Sequence, residues 1–246
     1  MFKLLKKKSV QRFFKAFGLF LAVLFLYSFA GKRNAGRTVK DIDIVFENGD
    51  NLFITYDMVN KLLIQNHNTI QSQQKERLFL NEIENTLNNN AMIENADVFV
   101  EVNGDLGVIV RQKTPIARIN EKGKVYYLDR NGEKMPLSAN YSARVPIVEG
   151  QKNEQISPDL YRLCSFVFAD SLLQKQIIGI TQLESGKFNL KTRLGGQTIE
   201  LGSLDRLDKK IKKLKVFYQK MISDEKLSSY KSINLMYDKQ VVCTKK

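Results

Sequence analysis

Hydrophobic residues recur along this chain with periods that differ from one stretch to the next. The longest apolar stretch is "FFKAFGLFLAVLFLYSFAG", over 13–31, which is apolar apart from Lys15, Ser28 and small residues. Nineteen helical residues at about 1.5 Å each span roughly 28 Å, close to the thickness of the hydrocarbon core of a bilayer. The pattern therefore predicts a transmembrane helix over 13–31, followed by a linker over 32–38.

Charges beside the apolar stretch predict its orientation. Six basic residues lie at its N-terminal end and four follow it. This modest bias favours a cytoplasmic N-terminal tail, over 1–12, and an extracytoplasmic remainder. A cleaved signal peptide is the alternative, since Ser28-Phe29-Ala30 offers small residues around a cleavage site. The long charged segment before the apolar stretch and the bulky Leu26 and Phe29 beside the site favour an uncleaved anchor. Under either interpretation the residues after 31 lie outside the cytoplasm.

Periodicity next predicts a small domain with the order strand, helix, helix, strand, strand. Alternating apolar residues predict the first strand over 39–47. A helix over 55–66 follows, with Thr55 as its N-cap, and a second helix begins near Leu80. A hairpin completes the order, with its turn at Asn103-Gly104-Asp105. The apolar positions that define these elements are Ile42, Ile44, Phe46, Met58, Val59, Leu62, Leu63, Leu80, Ile83, Leu87, Val98, Val100, Val102, Val108 and Val110.

The remainder of the chain predicts a second domain that is rich in strands. Its segments in order begin with a strand, turn and short return over 124–138, then "VPIVEG" over 145–150 and a helix beginning at Ser157-Pro158. Strands over 177–183, 187–193 and 197–201 follow, then a helix over 204–222 and a strand over 232–237. The helix after Ser157 carries an apolar stripe of Leu160, Leu163, Cys164, Val167 and Phe168.

The strand over 232–237 raises the question of what it pairs with. Ile233, Leu235 and Tyr237 alternate with more polar or flexible residues, which is the period of a half-buried strand with these three on one face. A turn over 238–240 lets the β-prone residues 241–243 pair back on the strand or extend the edge of the sheet. An unpaired sheet edge is a surface on which another chain can add a strand.

The basic composition belongs mainly to the N-terminus. The chain has 39 basic and 26 acidic residues, a net charge of +13. Ten of the basic residues and none of the acidic ones precede Asp41, which leaves 29 basic against 26 acidic residues, a net of +3. A charge so close to balance does not indicate a nucleic-acid-binding domain.

The helix over 204–222 is the exception, because it is locally basic. Leu204, Leu207, Ile211, Leu214, Tyr218 and Met221 define its apolar face, and the other faces carry Lys209, Lys210, Lys212, Lys213 and Lys215. Such a helix binds an anionic membrane or an acidic partner. The simpler interpretation, which we favour, is a surface helix packed on its own sheet, with Asp205 and Asp208 near its start suiting the helix dipole.

No pattern of residues in the chain indicates catalysis. There is one histidine, His67, in a polar stretch where solvation is the expected state, and no serine-hydrolase, zinc-protease or P-loop motif occurs. The two cysteines predict a buried free thiol at Cys164, with a bridge to Cys243 as the alternative. We therefore expect no enzymatic activity, metal or cofactor, while a glycan hydrolase whose carboxylates are brought together only by the fold stays open.

The order of the predicted elements resembles a known family. Strand, helix, helix, strand, strand directly after a single anchor is similar to a POTRA domain, and in "RQKTPIARI" (111–119) Pro115 and Ala117 match the family's P-x-A junction. The segments that follow resemble the cell-division family FtsQ/DivIB. The resemblance implies an α+β protein with one transmembrane helix, a POTRA-like domain over 39–113 and a mixed β domain with flanking helices over 114–246.

The resemblance also implies a function. FtsQ/DivIB members are non-enzymatic scaffolds at the division site of the inner membrane, which hold the single-pass proteins FtsB and FtsL and help connect early division proteins to septal peptidoglycan synthases. A secretion or outer-membrane assembly adaptor is one alternative, because POTRA domains also serve there. A wall-modifying enzyme, or its inhibitor, is another.

Resemblance finally implies where a partner binds. The end of the β domain receives FtsB in the family by adding a strand to the sheet. Tyr237 matches the family's tyrosine, whereas Met236 and Asn234 stand where many members have arginine and an acid, which predicts a more apolar contact. The alternative is that this segment only closes the core. The predicted partner-binding residues are Met236, Tyr237, Lys239, Gln240 and Val241.

Overall fold

The computed structural model describes residues 2–35, 39, 41–49, 51–66, 80–151 and 155–246. His67 lies outside these residues. The chain divides into two compact units, Met1–Asn51 with Thr55–Arg111, and Leu52–Ile54 with Gln112–Lys246. Each unit combines helices with a sheet, so the α+β class predicted from the sequence is confirmed.

A single long helix, α1 (Phe2–Ala35), opens the chain. Its stretch Phe14–Gly31 has a mean hydropathy of 1.8, and none of that stretch is buried. This stretch is long and apolar enough to cross a membrane, which fits the predicted anchor, and it is the one such helix among the described residues. The helix itself is longer than the predicted span of 13–31.

The rest of the first unit is a three-stranded sheet with two helices. Its elements are β1 (Ile42–Phe46), a 3₁₀ turn (Glu47–Gly49), α2 (Tyr56–Asn66), α3 (Leu80–Asn88), β2 (Ile93–Val100) and β3 (Leu106–Gln112). The strand order is β1-β3-β2, with β1 parallel to β3. The predicted order of strand, helix, helix, strand, strand is confirmed.

Local contacts explain where these elements begin and end. The Thr55 hydroxyl accepts the Met58 N–H at 3.4 Å, which confirms the predicted N-cap of α2. α2 buries Val59 and Leu63, but Met58 is exposed, so the predicted apolar face is narrower than expected. Val102, predicted in a strand, is 88% exposed, because the Glu101 N–H donates to the Asp105 carbonyl and the turn begins earlier.

The second unit is built on a nine-stranded sheet. Its strands are β4 (Pro115–Glu121), β5 (Lys124–Asp129), β6 (Lys134–Met135), β7 (Ile147–Glu149), β8 (Ile177–Gln182), β9 (Phe188–Thr192), β10 (Thr198–Gly202), β11 (Tyr230–Asn234) and β12 (Val242–Lys245). The strand order is β12-β11-β10-β9-β8-β7-β4-β5-β6. Strands β4–β6 and β8–β10 form two antiparallel meanders, and the short β7 joins them by pairing parallel to both β4 and β8.

Helices of the second unit share one core with the sheet. They are α4 (Pro158–Ala169), α5 (Ser171–Gln176) and α6 (Leu207–Ser223), with a 3₁₀ turn at Leu227–Ser229. The Ser157 hydroxyl accepts the Leu160 N–H at 3.2 Å, which confirms the predicted cap. α5 was not predicted; the Asp170 side chain caps it by accepting the N–H groups of Leu172 and Leu173. Cys164 is fully buried on α4, and burial raises the pKa of its thiol to about 12.

One segment of the second unit comes from far earlier in the chain. Gln112 Oε1 accepts the N–H groups of Phe53 and Ile54 at 2.8 and 2.9 Å. The Phe53 carbonyl accepts the Ser138 hydroxyl at 2.8 Å, and its ring meets that of Tyr127 edge-on. These contacts account for the place of Leu52–Ile54 in the second unit.

Candidate functional site

β12 forms one edge of the nine-stranded sheet. β11 lies between β10, to which it is parallel, and β12, to which it is antiparallel. In this register Ile233 lies opposite Cys243, and Asn234 lies opposite Val242. The prediction that the residues after the turn pair back on the preceding strand is confirmed, although β12 reaches as far as Lys245. Within the part of the chain that the structure describes, no strand pairs with the outer side of β12.

The predicted strand over 232–237 ends early, at Asn234. There the Asn234 side-chain oxygen accepts the Met236 N–H at 2.9 Å, a turn that takes the chain out of the sheet. Ile233 and Leu235 are fully buried, but Tyr237 is 52% exposed. The expectation that Tyr237 shares the buried face of Ile233 and Leu235 is therefore wrong.

Met236 is also exposed, and it packs beside a glycine of β10. Gly202 has a φ of +75°, and a Cβ there would lie 2.8 Å from the Met236 Cγ. The positive φ favours glycine at this position, and the missing side chain leaves room for Met236. Met236 and Tyr237 together present an apolar surface at the start of the loop that leads to β12.

The loop between β11 and β12 is held against the start of α6. Arg206 forms an ion pair with Asp238 at 2.8 Å. Lys213 donates to the backbone carbonyls of Tyr237 and Asp238. α6 begins at Leu207 rather than at the predicted Leu204, because Arg206 adopts a left-handed conformation with φ +53°.

Lys210 departs from the prediction that the lysines of α6 face solvent. It is buried, and its ammonium donates to the carbonyls of Leu201 and Ser203 at 3.0 and 2.8 Å. Burial lowers the pKa of Lys210. This side chain therefore ties α6 to the end of β10 beside Gly202.

A groove of about 560 Å³ lies between α6 and the loop before β12. Its apolar lining comes from Val216, Phe217 and Val241. Its polar lining consists of Lys209, Lys212, Lys213, Lys220, Asp238, Lys239 and Gln240. Three of the five predicted partner-binding residues, Lys239, Gln240 and Val241, thus line the groove, whereas Met236 and Tyr237 lie outside its lining.

Sequence reasoning missed two parts of this surface. The edge strand itself, Val242–Lys245, was described only as a β-prone piece, although its valine and threonine are a strand signal. The lysines of α6 are predicted to face solvent, and Lys209, Lys212 and Lys220 are indeed exposed, but the sequence does not reveal that they line one groove. That the five predicted residues contact a partner stays a prediction.

The described residues offer few side chains that could act as nucleophiles or metal ligands. Cys164 and Cys243 are both free, so they are not bridged to each other. Among the described residues, no group of three or more histidine, cysteine or acidic side chains is placed to hold a metal ion. The arrangement offers main-chain hydrogen bonds, apolar contact and positive charge, which are means of binding.

Comparison with known proteins finds family models that match two successive parts of the chain. Residues 37–111 match a family model described as POTRA-like domain, and residues 114–244 match one described as FtsQ/DivIB, C-terminal related. A search of curated proteins finds no match. The second of these family models covers more than half of the chain, and the resemblance inferred from the sequence is confirmed. With an apolar anchor helix, a POTRA-like domain and this C-terminal domain in that order, the chain belongs to the FtsQ/DivIB family of cell-division scaffold proteins.

Proposed function

We propose that the protein captures a segment of an FtsB-like single-pass protein, with FtsL, as an added strand on β12. In this way it links early division proteins to septal peptidoglycan synthases. The N-terminal tail lies in the cytoplasm, α1 crosses the inner membrane, and the domains that follow α1 lie in the periplasm. The function is that of a scaffold without catalysis.

The single observation that carries the proposal is the open edge at β12. In an antiparallel pair, alternate residues direct their N–H and C=O groups to opposite sides. Two of the four residues Val242–Lys245 therefore offer these groups to the outer side, enough for four main-chain hydrogen bonds. An edge of this kind is the surface on which β-augmentation occurs.

Main-chain hydrogen bonds alone do not account for stable capture. Four of them contribute about 2 to 6 kcal/mol net, whereas association costs about 4 to 15 kcal/mol in lost freedom. Side-chain contacts have to supply the difference. We assign this role to the exposed apolar side chains Met236 and Tyr237, at the start of the loop that leads to β12.

A proline scan across β12 tests the proposal. Proline removes the N–H, and it is tolerated in an edge strand where that N–H points away from the sheet. We expect two alternating positions of Val242–Lys245 to accept proline with the fold intact and to lose capture of the partner's periplasmic domain. The other two prolines disturb the ladder to β11 and destabilise the fold. Alanine at the same positions is the matched control, because it keeps the N–H.

The measurement is the affinity of full-length protein in detergent for the purified FtsB-like domain. Folding of each variant is followed independently through the protection of the buried Cys164 thiol. If the proline variants that stay folded still bind with the parent's affinity, strand addition at this edge is wrong. Copurification of a β-barrel instead of a small single-pass protein would favour the assembly adaptor.

Depletion in the source cell tests the division role itself. We expect filaments without septa, because loss of the scaffold separates early division proteins from the synthases. Normal division with defects confined to the envelope would contradict the proposal. Protease added from the periplasmic side is expected to remove the domains that follow α1, which checks the orientation.

A further inference from the structure

We infer that the groove beside β12 holds an acidic, apolar stretch of the same partner segment that adds to β12. This inference rests on the proposed function and deepens it, because it states what the segment carries beside its strand. Val216, Phe217 and Val241 supply the apolar lining of the groove, and Val216 is 62% exposed. Five lysines line the same groove.

The positive charge of the groove is not balanced by acidic residues that the structure describes. Its one acidic residue, Asp238, is already paired with Arg206. Lys213 is occupied by the carbonyls of the loop. The remaining four lysines form no ion pair with any carboxylate that the structure describes, and they are Lys209, Lys212, Lys220 and Lys239.

The spacing of the lysines along α6 adds to the unbalanced positive charge of the groove. Lys209 lies three and four residues before Lys212 and Lys213, and like charges at these spacings repel one another on a helix. On the same helix, Lys215 is outside the groove and is paired with Asp170. The unpaired lysines of α6 are thus gathered where carboxylates of a partner would relieve the repulsion.

The groove is continuous with the open edge. Val241 lines the groove and directly precedes β12. A strand added to β12 passes Val242 at one end, so its neighbouring residues, at about 3.3 Å each, reach the groove within a few positions. An added residue opposite Cys243 points to the same side of the sheet as Cys243. That side is the core to which Cys243, Val241 and Phe217 all pack.

The partner chemistry follows from this geometry. It is an extended segment with an apolar side chain facing α6 and with two or more carboxylates within about four residues of the strand. An anionic membrane surface would also suit the lysines. A concave groove beside a strand edge favours the acidic segment, because membrane-binding helices insert apolar side chains that project.

The experiment measures affinity for the purified periplasmic domain of the FtsB-like partner, using the full-length protein in nanodiscs. The groove variant is Lys209→Gln, Lys212→Gln, Lys220→Gln. The control variant is Lys175→Gln, Lys187→Gln, Lys191→Gln, which removes the same charge at exposed positions outside the groove. Protection of Cys164 verifies that both variants are folded.

We expect the groove variant to bind at least about tenfold more weakly at low salt, from three exposed ion pairs. We expect the control variant to bind like the parent. Raising the salt concentration should weaken binding of the parent, and weaken it less in the groove variant, because fewer ion pairs are left to screen. Parent-like affinity and salt dependence in the groove variant would overturn the inference.

Two further outcomes separate the alternatives. If the β12 proline variants lose binding while the groove variant keeps it, the inference about the groove is wrong and the proposed function stands. If neither set of variants changes binding, both are wrong. Nanodiscs rich in phosphatidylglycerol that protect the groove lysines from acetylation, with partner affinity unchanged by the groove variant, would assign the groove to the membrane instead.

Discussion

Alkylation of the two cysteines tests the packing of the second unit without any mutation. Cys164 is fully buried on α4, whereas Cys243 is half-buried on the edge strand β12. Thiolate is the species that reacts with iodoacetamide. Burial raises the pKa of Cys164 from 9.0 to about 12, and it also raises the pKa of Cys243.

The expected difference follows from these values. At about pH 8 a thiol with its ordinary pKa is about one-tenth ionised, while Cys164 is ionised in about one molecule in ten thousand. Steric burial slows Cys164 further, so it should react mainly through transient opening of the domain. We expect Cys243 to be alkylated at least about a hundredfold faster than Cys164.

The assay is a timed pulse of iodoacetamide on the full-length protein in mild detergent, with mass spectrometry of the two cysteine peptides. Concentrated urea is the control, and there the two rates should converge. Comparable rates in the folded protein would refute the packing of α4 on the sheet. Slow labelling of both would refute the partial exposure of the Cys243 side chain.

Three other perturbations give specific expectations. Gly150 has a φ of +85°, and a Cβ there would collide with the Gln182 carbonyl, so Gly150→Ala should destabilise the domain by more than about 2 kcal/mol in urea unfolding. Gly186 has a φ of +76° but open space around it, so Gly186→Ala should lower the free energy of unfolding by only about 1 to 2 kcal/mol. Equal losses in the two variants would contradict the collision. Gln112→Leu leaves the Phe53 and Ile54 N–H groups without their acceptor and should lower the free energy of unfolding by at least about 2 kcal/mol. The control Gln174→Leu, on the exposed side of α5, should lower it by about 0.5 kcal/mol or less. The pKa of Cys164 is raised on folding, so the stability that its neutral thiol provides is complete below about pH 9 and is lost as pH rises toward 12, by on the order of 1 kcal/mol at pH 10. Cys164→Ala should therefore show a flatter decline of stability between pH 8 and 10, and parallel curves would contradict this origin.

Local patterns predicted most elements of the fold, because they depend on neighbours a few residues apart. The caps at Thr55 and Ser157 and the apolar stripes of α3 and α4 are of this kind. α5 escaped prediction because its six residues are too few for a period to emerge. α6 begins at Leu207 and not at the predicted Leu204, because Arg206 adopts a left-handed conformation that the periodicity of the sequence does not reveal.

The candidate site was predictable only in part, for a related reason. The turn after β11 and the return of the chain on it follow from a local signal and were predicted. The exposure of Tyr237 depends on one hydrogen bond from Met236 to the Asn234 side chain. The burial of Lys210 and the groove depend on contacts between α6 and residues of β10 and the loop, which are distant in sequence.

The parallel pairings in the nine-stranded sheet set an order of folding. The meanders β4–β6 and β8–β10 form from contacts close in sequence, whereas pairing Ile119 with Val148, or Ile199 with Ile233, closes a much longer loop. Such non-local pairings form more slowly than hairpins. β12 pairs only with β11 among the described strands, and β11 must first dock on β10. The edge is therefore expected to be among the last parts of the domain to form, so that a partner strand meets it only on molecules whose folding is nearly complete.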